Sequence, residues 1–193
     1  MQALKQSLRK QLLKERSEIS EKDKKDELIF QNLMSLEAYK KARCVLCYVS
    51  SKDEADTIAV INQALKYEKT VAVPYCEDDI GNMSFYIINS LDELKNGRYS
   101  IPEPDINTAQ KLNDFSNSII IVPALCYDKK GFRIGYGRGY YDRFLEKHPL
   151  FSIGLCYNSL MQDALPVNEH DKRVDIIVTD KDIIHLNSED KNG

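Results

Sequence analysis

The chain has 193 residues, 42% hydrophobic and 30% charged, with a formal net charge of −3. That length suits one medium domain, taken as 1–193, with a substantial buried core, and the composition is that of a soluble globular protein. The acidic balance argues against a general nucleic-acid binder, though not against a local basic pocket for a small anion. No apolar run is long enough to span a bilayer.

The first forty residues read as two helices. Leu4, Leu8 and Leu12 recur at helical spacing, and Leu13 widens the stripe. The segment mixes leucines with charges and lacks the apolar centre of a signal peptide, so a cytoplasmic protein is expected. Lys5 and Arg9 stand four apart and share one helix face bordering that stripe; they suit either the rim of a pocket or a solvated basic face. Ser20, with Asp23 three residues on, is placed to cap a second helix. Ile29, Leu33 and Leu36 mark its buried side.

After residue 42 the pattern changes to short apolar runs. Strands are expected at 44–49, 70–74, 84–88, 118–122, 152–157 and 174–179, with helices at 57–67 and 140–148. Several runs are continuously apolar, as in Ile119 to Val122, which indicates strands covered on both faces. Alternating strands and helices predict an α/β fold: an open, largely parallel Rossmann-like sheet, preceded by the helical pair. Residues 97–117 read as a long surface connection, and the polar tail from Ser188 as frayed. Five cysteines, odd in number and mainly in apolar segments, fit a reducing compartment. Cys44 and Cys47 have the spacing of a redox pair. They lie on a strand, however, where positions three apart face opposite sides, so buried thiols are the expectation.

The chemistry concentrates between residues 119 and 148. A buried strand runs into a loop ending in Gly135, Gly137 and Gly139, and a helix follows. Closely spaced glycines let backbone N–H groups converge on an anion at a helix N-terminus. Between Asp128 and Arg143, five basic residues (Lys129, Lys130, Arg133, Arg138, Arg143) face two acidic ones, which favours a polyphosphate. The spacing fits neither a Walker loop nor a dinucleotide fingerprint, and a glycine turn without a ligand remains open here. Asp142, in the first turn of the helix, suits either the helix dipole or a Mg²⁺ placed between it and phosphate oxygens. Asp175, at the start of the last expected strand, is a second carboxylate candidate or simple punctuation. Glu54 reads alone as an acid at a helix start.

The run Asp128-x-x-Gly131-x-Arg133-x-Gly135-x-Gly137-x-Gly139-Tyr140-Tyr141-Asp142-Arg143 resembles the signature of the 5-formyltetrahydrofolate cyclo-ligase family. The likeness extends to Lys5, Leu8 and Arg9, to 48–57, 83–85 and 101–104, and to 153–155, Leu165-Pro166, His170-Asp171 and 175–179. One departure is Leu160, where many bacterial members carry Gln; Gln162 is nearby.

The resemblance implies a sheet related to the ribose-5-phosphate isomerase and CoA-transferase group. It also implies ATP- and Mg²⁺-dependent closure of 5-formyltetrahydrofolate to 5,10-methenyltetrahydrofolate. By matching position, ATP would be held by Lys5, Arg9 and the loop of Arg133, Ile134, Gly135, Tyr136, Gly137, Arg138, Gly139, Tyr140 and Tyr141. Asp142 and Asp175 would hold Mg²⁺. Val49, Glu54 and Tyr136 to Tyr140 would line the folate, with Arg138 and Tyr140 as the candidate catalytic groups. A monomer is expected. An isomerase of sugar phosphates or a non-catalytic binding paralogue are the other readings; the intact glycine loop and both carboxylates disfavour the paralogue.

Overall fold

The computed structural model describes residues 1–97 and 101–186. Three helices open the chain: α1 (Gln2–Ser17), α2 (Lys22–Ser35) and the short α3 (Glu37–Lys41). β1 (Cys44–Cys47), α4 (Ile58–Lys66), β2 (Thr70–Cys76) and β3 (Met83–Ile88) follow, then a small hairpin of β4 (Leu94–Asn96) and β5 (Pro102–Pro104). The second half holds β6 (Ser118–Val122), the two-residue pair β7 (Cys126–Tyr127) and β8 (Arg133–Ile134), α5 (Tyr140–Lys147), β9 (Phe151–Leu155), β10 (Ile176–Val178) and β11 (Ile183–His185).

Seven strands form one sheet in the order β11-β10-β9-β6-β1-β2-β3. Pairing is parallel from β10 to β2, and antiparallel only at the two edges. The continuous apolar runs are explained by burial on both faces: every residue of β1 and β6 is buried. The chain leaves β1 in one direction, through α4 to β2, and leaves β6 in the other, through α5 to β9. Right-handed returns in opposite directions put α4 and α5 on opposite faces of the sheet. They also create a switch point between β1 and β6, where loops diverge from the carboxyl ends of neighbouring strands, the place where open α/β sheets form a ligand crevice.

Four expectations change. Ser20 does not cap α2. The helix starts at Lys22, and its flanking residue Glu21 is left-handed at φ 52° with no side-chain cap, because the chain reverses sharply there. Only half of the leucine stripe of α1 is buried: Leu12 is in the core and Leu8 packs against it, but Leu4 is 60% exposed and Leu13 42%, and Lys5 and Arg16 take places on the buried face. The run at 174–179 is not the last strand, since β11 adds an antiparallel edge; three residues are too short to give a periodic signal. The connection at 97–117 is also more structured than expected, with β5 paired to β4 and a bridge from Lys111 to Tyr86. The tail from Ser188 lies outside the described residues. Cys44 and Cys47 are both free, buried thiols, and burial pushes the Cys47 thiol well above its usual range.

Gly154 in β9 has a packing reason to be glycine. A Cβ there would lie 2.3 Å from Cζ of Tyr127, a fully buried ring whose hydroxyl donates to the Val122 carbonyl at 2.8 Å. Gly154→Ala therefore forces either the strand or the ring to move. Overpacking of this kind costs about 1–3 kcal/mol, and urea unfolding should show a lowered midpoint. An unchanged midpoint would mean that Tyr127 is not fixed in its slot.

Candidate active site

The crevice is built from two loops that leave β1 and β6. The β1 loop is held by its own side chains. Thr57 Oγ1 donates to the Tyr48 carbonyl at 2.6 Å and accepts from Ser50 N at 2.9 Å, and the Tyr48 hydroxyl donates to the Ala55 carbonyl at 3.0 Å. Asp56 is the acid that serves the start of α4, accepting from Ile58 N and Ala59 N. Glu54 is thereby released from a helix-start role. Its side chain folds back so that Oε2 accepts from Ser51 N at 2.8 Å, and it is buried, as is Val49.

The β6 loop is set by Asp128, which is 1% exposed. Its Oδ1 accepts from Lys130 N at 2.9 Å and Phe132 N at 3.0 Å, and Oδ2 accepts from Leu165 N at 3.0 Å. This braces the turn between β7 and β8. Ile134 points into the core, and its carbonyl accepts from Leu125 N at 2.7 Å, so only its backbone borders the crevice. The glycine loop follows directly. Gly137 (φ 95°) and Gly139 (φ 70°) take left-handed conformations that β-carbons resist. Gly139 stands at the start of α5, whose first N–H groups lack intrahelical partners and carry partial positive charge.

α1 lies along this loop with a basic face. Arg9 Nε donates to the Gly135 carbonyl at 2.8 Å, and the Arg9 guanidinium lies where a Gly137 β-carbon would meet it at 3.0 Å. Lys5 is further along the same face and forms a 2.5 Å ion pair with Asp171. The Tyr136 hydroxyl donates to Glu54 Oε1 at 3.3 Å, joining the two loops across the crevice. Burial, then the nearby Glu54 charge, raises the Tyr136 phenol above its ordinary range, so it remains a donor at neutral pH. Tyr141 is also raised, chiefly by burial, and its hydroxyl is buried without a partner among the described residues. The Tyr140 hydroxyl turns outward, donating to the Asp78 carbonyl at 2.5 Å. Arg138 is exposed at the tip, where its carbonyl accepts from Arg143.

The two carboxylates named from the sequence sit differently. Asp142 Oδ1 accepts from Arg133 Nη2 at 2.8 Å and from Lys172 N at 3.0 Å. Arg133 also donates to the Lys172 carbonyl, so its guanidinium is committed. Asp142 Oδ2 has no partner among the described residues, which suits a hard cation completed by phosphate oxygens and water. Asp175 lies just before β10, with Oδ2 accepting from both N and Oγ of Ser152 at 2.9 Å. Among the described residues no group of three or more His, Cys, Asp or Glu is placed to hold a metal, so protein ligands alone would not complete one. Of the residues named from the sequence, Arg9 and Glu54 both contact the glycine loop, at the Gly135 carbonyl and the Tyr136 hydroxyl. Sequence reasoning missed Arg16, Asp171 and Tyr157. Their signal was partial: Lys5, Arg9 and Arg16 follow helical spacing, but leucines at nearby positions masked the basic face.

The sequence model of the 5-formyltetrahydrofolate cyclo-ligase family matches residues 1–180. A 5-formyltetrahydrofolate cyclo-ligase of Saccharomyces cerevisiae is 29% identical over 184 residues, covering 81% of this chain and 85% of that protein. One from Escherichia coli K12 is also 29% identical, over 142 residues, covering 72% and 78% respectively. Among solved structures, the 5,10-methenyltetrahydrofolate synthetase of Aquifex aeolicus superposes with a TM-score of 0.83 at 32% identity, covering 96% of this chain and 94% of that one. Among the described residues no helix is long and apolar enough to cross a membrane. With the match running through both loops of the crevice and nearly the whole sheet, the chain belongs to the 5-formyltetrahydrofolate cyclo-ligase family of enzymes.

Proposed function

We propose that the crevice between β1 and β6 closes 5-formyltetrahydrofolate to 5,10-methenyltetrahydrofolate at the expense of ATP, working as a monomer on small molecules. The observation that carries this reading is the Tyr136–Glu54 contact. It sets an acceptor pocket for one ligand against a glycine loop, with Arg9 beside it, suited to a phosphate. A formyl amide oxygen is a poor leaving group. It attacks the γ-phosphorus of ATP, ADP leaves, and N10 adds to the activated carbon. Loss of phosphate then gives the methenyl bridge. Such a route depends on positioning and charge neutralisation more than on a protein nucleophile, and the crevice fits that demand. Burial in the core pushes the Cys44, Cys47, Cys126 and Cys156 thiols up, away from thiolate chemistry.

In this scheme Lys5, Arg9 and the loop from Arg133 to Tyr141 hold the triphosphate, Ile134 through its backbone alone. Binding draws Lys5 from Asp171 toward phosphate. Arg138, exposed and without a carboxylate partner among the described residues, neutralises transferring charge. Tyr140 shields the reacting atoms from water. Val49 and Glu54, with the loop from Tyr136 to Tyr140, receive the folate; Glu54 is acceptor-only and suits the N–H edge of a pterin. Asp142, through Oδ2, and Asp175 would hold Mg²⁺, which would offset the charge of the triphosphate.

Asp142→Asn tests the metal role. The amide keeps the Oδ1 contacts to Arg133 and Lys172 but loses the charge. Turnover should fall about a hundredfold or more, the scale of a lost electrostatic contact at a transition state. The Mg²⁺-dependent gain in melting temperature with ATP should vanish as well. Retained turnover in a folded variant would remove Asp142 from the metal site.

The reaction itself is tested with purified protein, 5-formyltetrahydrofolate, ATP and Mg²⁺. The conjugated methenyl product should appear as a new near-ultraviolet band, with one ADP and one phosphate released per turnover. Omitting ATP or chelating Mg²⁺ should abolish the band. Turnover of a sugar phosphate without ATP, or folate binding without product, would replace this reading with an isomerase or a binding protein.

A further inference from the structure

Arg16, near the end of α1, is a buried cation at 6% exposure. Its guanidinium makes no ion pair among the described residues. Nη2 donates to the Tyr136 hydroxyl at 2.6 Å, Nη1 donates to the Ala124 carbonyl at 3.5 Å, and Nε is buried with no partner among the described residues. The guanidinium carbon also lies 5.7 Å from the centre of the Tyr136 ring. A buried arginine without a carboxylate beside it is costly unless its charge is offset elsewhere. The nearest offset through hydrogen bonds is Glu54, reached through Tyr136.

The direction of that chain follows from donor chemistry. A guanidinium only donates, so the Tyr136 oxygen accepts from Arg16 and must turn its single proton away. The proton points to Glu54 Oε1 at 3.3 Å. On the other side, Ser51 N fills one acceptor position of Oε2. The Tyr157 hydroxyl, also nearby, is engaged by Asp26 Oδ1 at 2.6 Å and by the Glu54 carbonyl at 3.1 Å, so it does not reach the carboxylate. Each Glu54 oxygen thus has one donor from the protein and a lone pair left over. Two such lone pairs side by side match a ligand edge carrying two adjacent N–H donors.

We propose that Arg16 and Tyr136 are positioning residues that orient Glu54 as a paired acceptor for the N–H edge of the folate ring system. Arg16 acts through the hydroxyl of Tyr136, a residue 54% exposed whose phenolic oxygen lies between Arg16 and Glu54. Without Arg16 the hydroxyl is free to rotate, and the acceptor pair loses its fixed direction. The inference rests on the folate reading of Glu54 given above.

The test compares binding of 5-formyltetrahydrofolate with binding of ATP to the full chain by calorimetry, alongside KM and kcat. Tyr136→Phe and Arg16→Met should each weaken folate binding roughly tenfold, the worth of one charge-assisted hydrogen bond; ATP affinity should change less, because the loop meets phosphate through backbone N–H groups that neither variant removes. The double variant should be no worse than the weaker single, because both act on one contact. Arg16→Lys still donates and should recover most of the affinity. A purely structural Arg16 would instead lower affinity for both ligands and add its effect to that of Tyr136→Phe; either result overturns the proposal. If Arg16→Met fails to fold, Tyr136→Phe decides alone, and full folate affinity in that variant refutes the proposal. Glu54→Gln separates the two levels. If it leaves folate binding intact, the folate reading of Glu54 fails and takes this inference with it. If it weakens folate binding while Tyr136→Phe and Arg16→Met do not, only the positioning claim fails.

Discussion

The Asp128 carboxylate organises the crevice. A carboxylate at 1% exposure survives burial because three backbone N–H groups donate to it, from Lys130, Phe132 and Leu165. Those bonds do two things at once. They close the turn between β7 and β8, which sets where the glycine loop begins. They also tie that turn to the segment after β9, so two excursions from the sheet share one anchor. Arg133, the next fixed point, spans Asp142 on α5 and the Lys172 carbonyl. Between these two polar hubs, the short β7–β8 pair carries the loop to α5 with little freedom.

α1 completes the site from outside the sheet, and its inner face is basic for that reason. Lys5 and Arg16 are buried around Leu12, and half-buried Arg9 reaches the loop. An apolar face would have packed more simply. Instead the helix meets the glycine loop through hydrogen bonds to a carbonyl and a phenol, so its packing and its chemistry use the same side chains. Of the leucines that stood out in the sequence, Leu12 is in the core and Leu8 packs against it, while Leu4 and Leu13 face solvent.

Much of the frame was legible because long-range burial leaves a plain trace. The run from Ile119 to Val122 pointed to a strand covered on both sides, and the glycine run to a turn into a helix; both are found so. Glu54 and Tyr136 carried no local signal for their contact, since they are 82 residues apart and meet only because β1 and β6 are neighbours. Arg16 was hidden for a different reason. Periodicity weighs residue polarity, and a buried arginine on a helix near a turn looks like any solvated charge. Ser20 failed as a cap because capping chemistry presumes an entry geometry that the left-handed Glu21 does not provide.

The electrostatics of the crevice divide its cations into two groups. Lys5 and Arg133 are each matched to an aspartate, Asp171 and Asp142. Arg9 and Arg138 have no carboxylate partner among the described residues; Arg9 leans on a neutral carbonyl and Arg138 stands at the loop tip. An incoming polyanion would therefore meet unmatched positive charge at the glycine loop first. Only deeper in would it have to compete with aspartates for Lys5 and Arg133. Matched cations cost little to keep in the absence of ligand, because their charge is already offset, whereas unmatched ones remain available to attract it. In a chain of net charge −3, this arrangement leaves unmatched positive charge beside the glycine loop, at the start of α5.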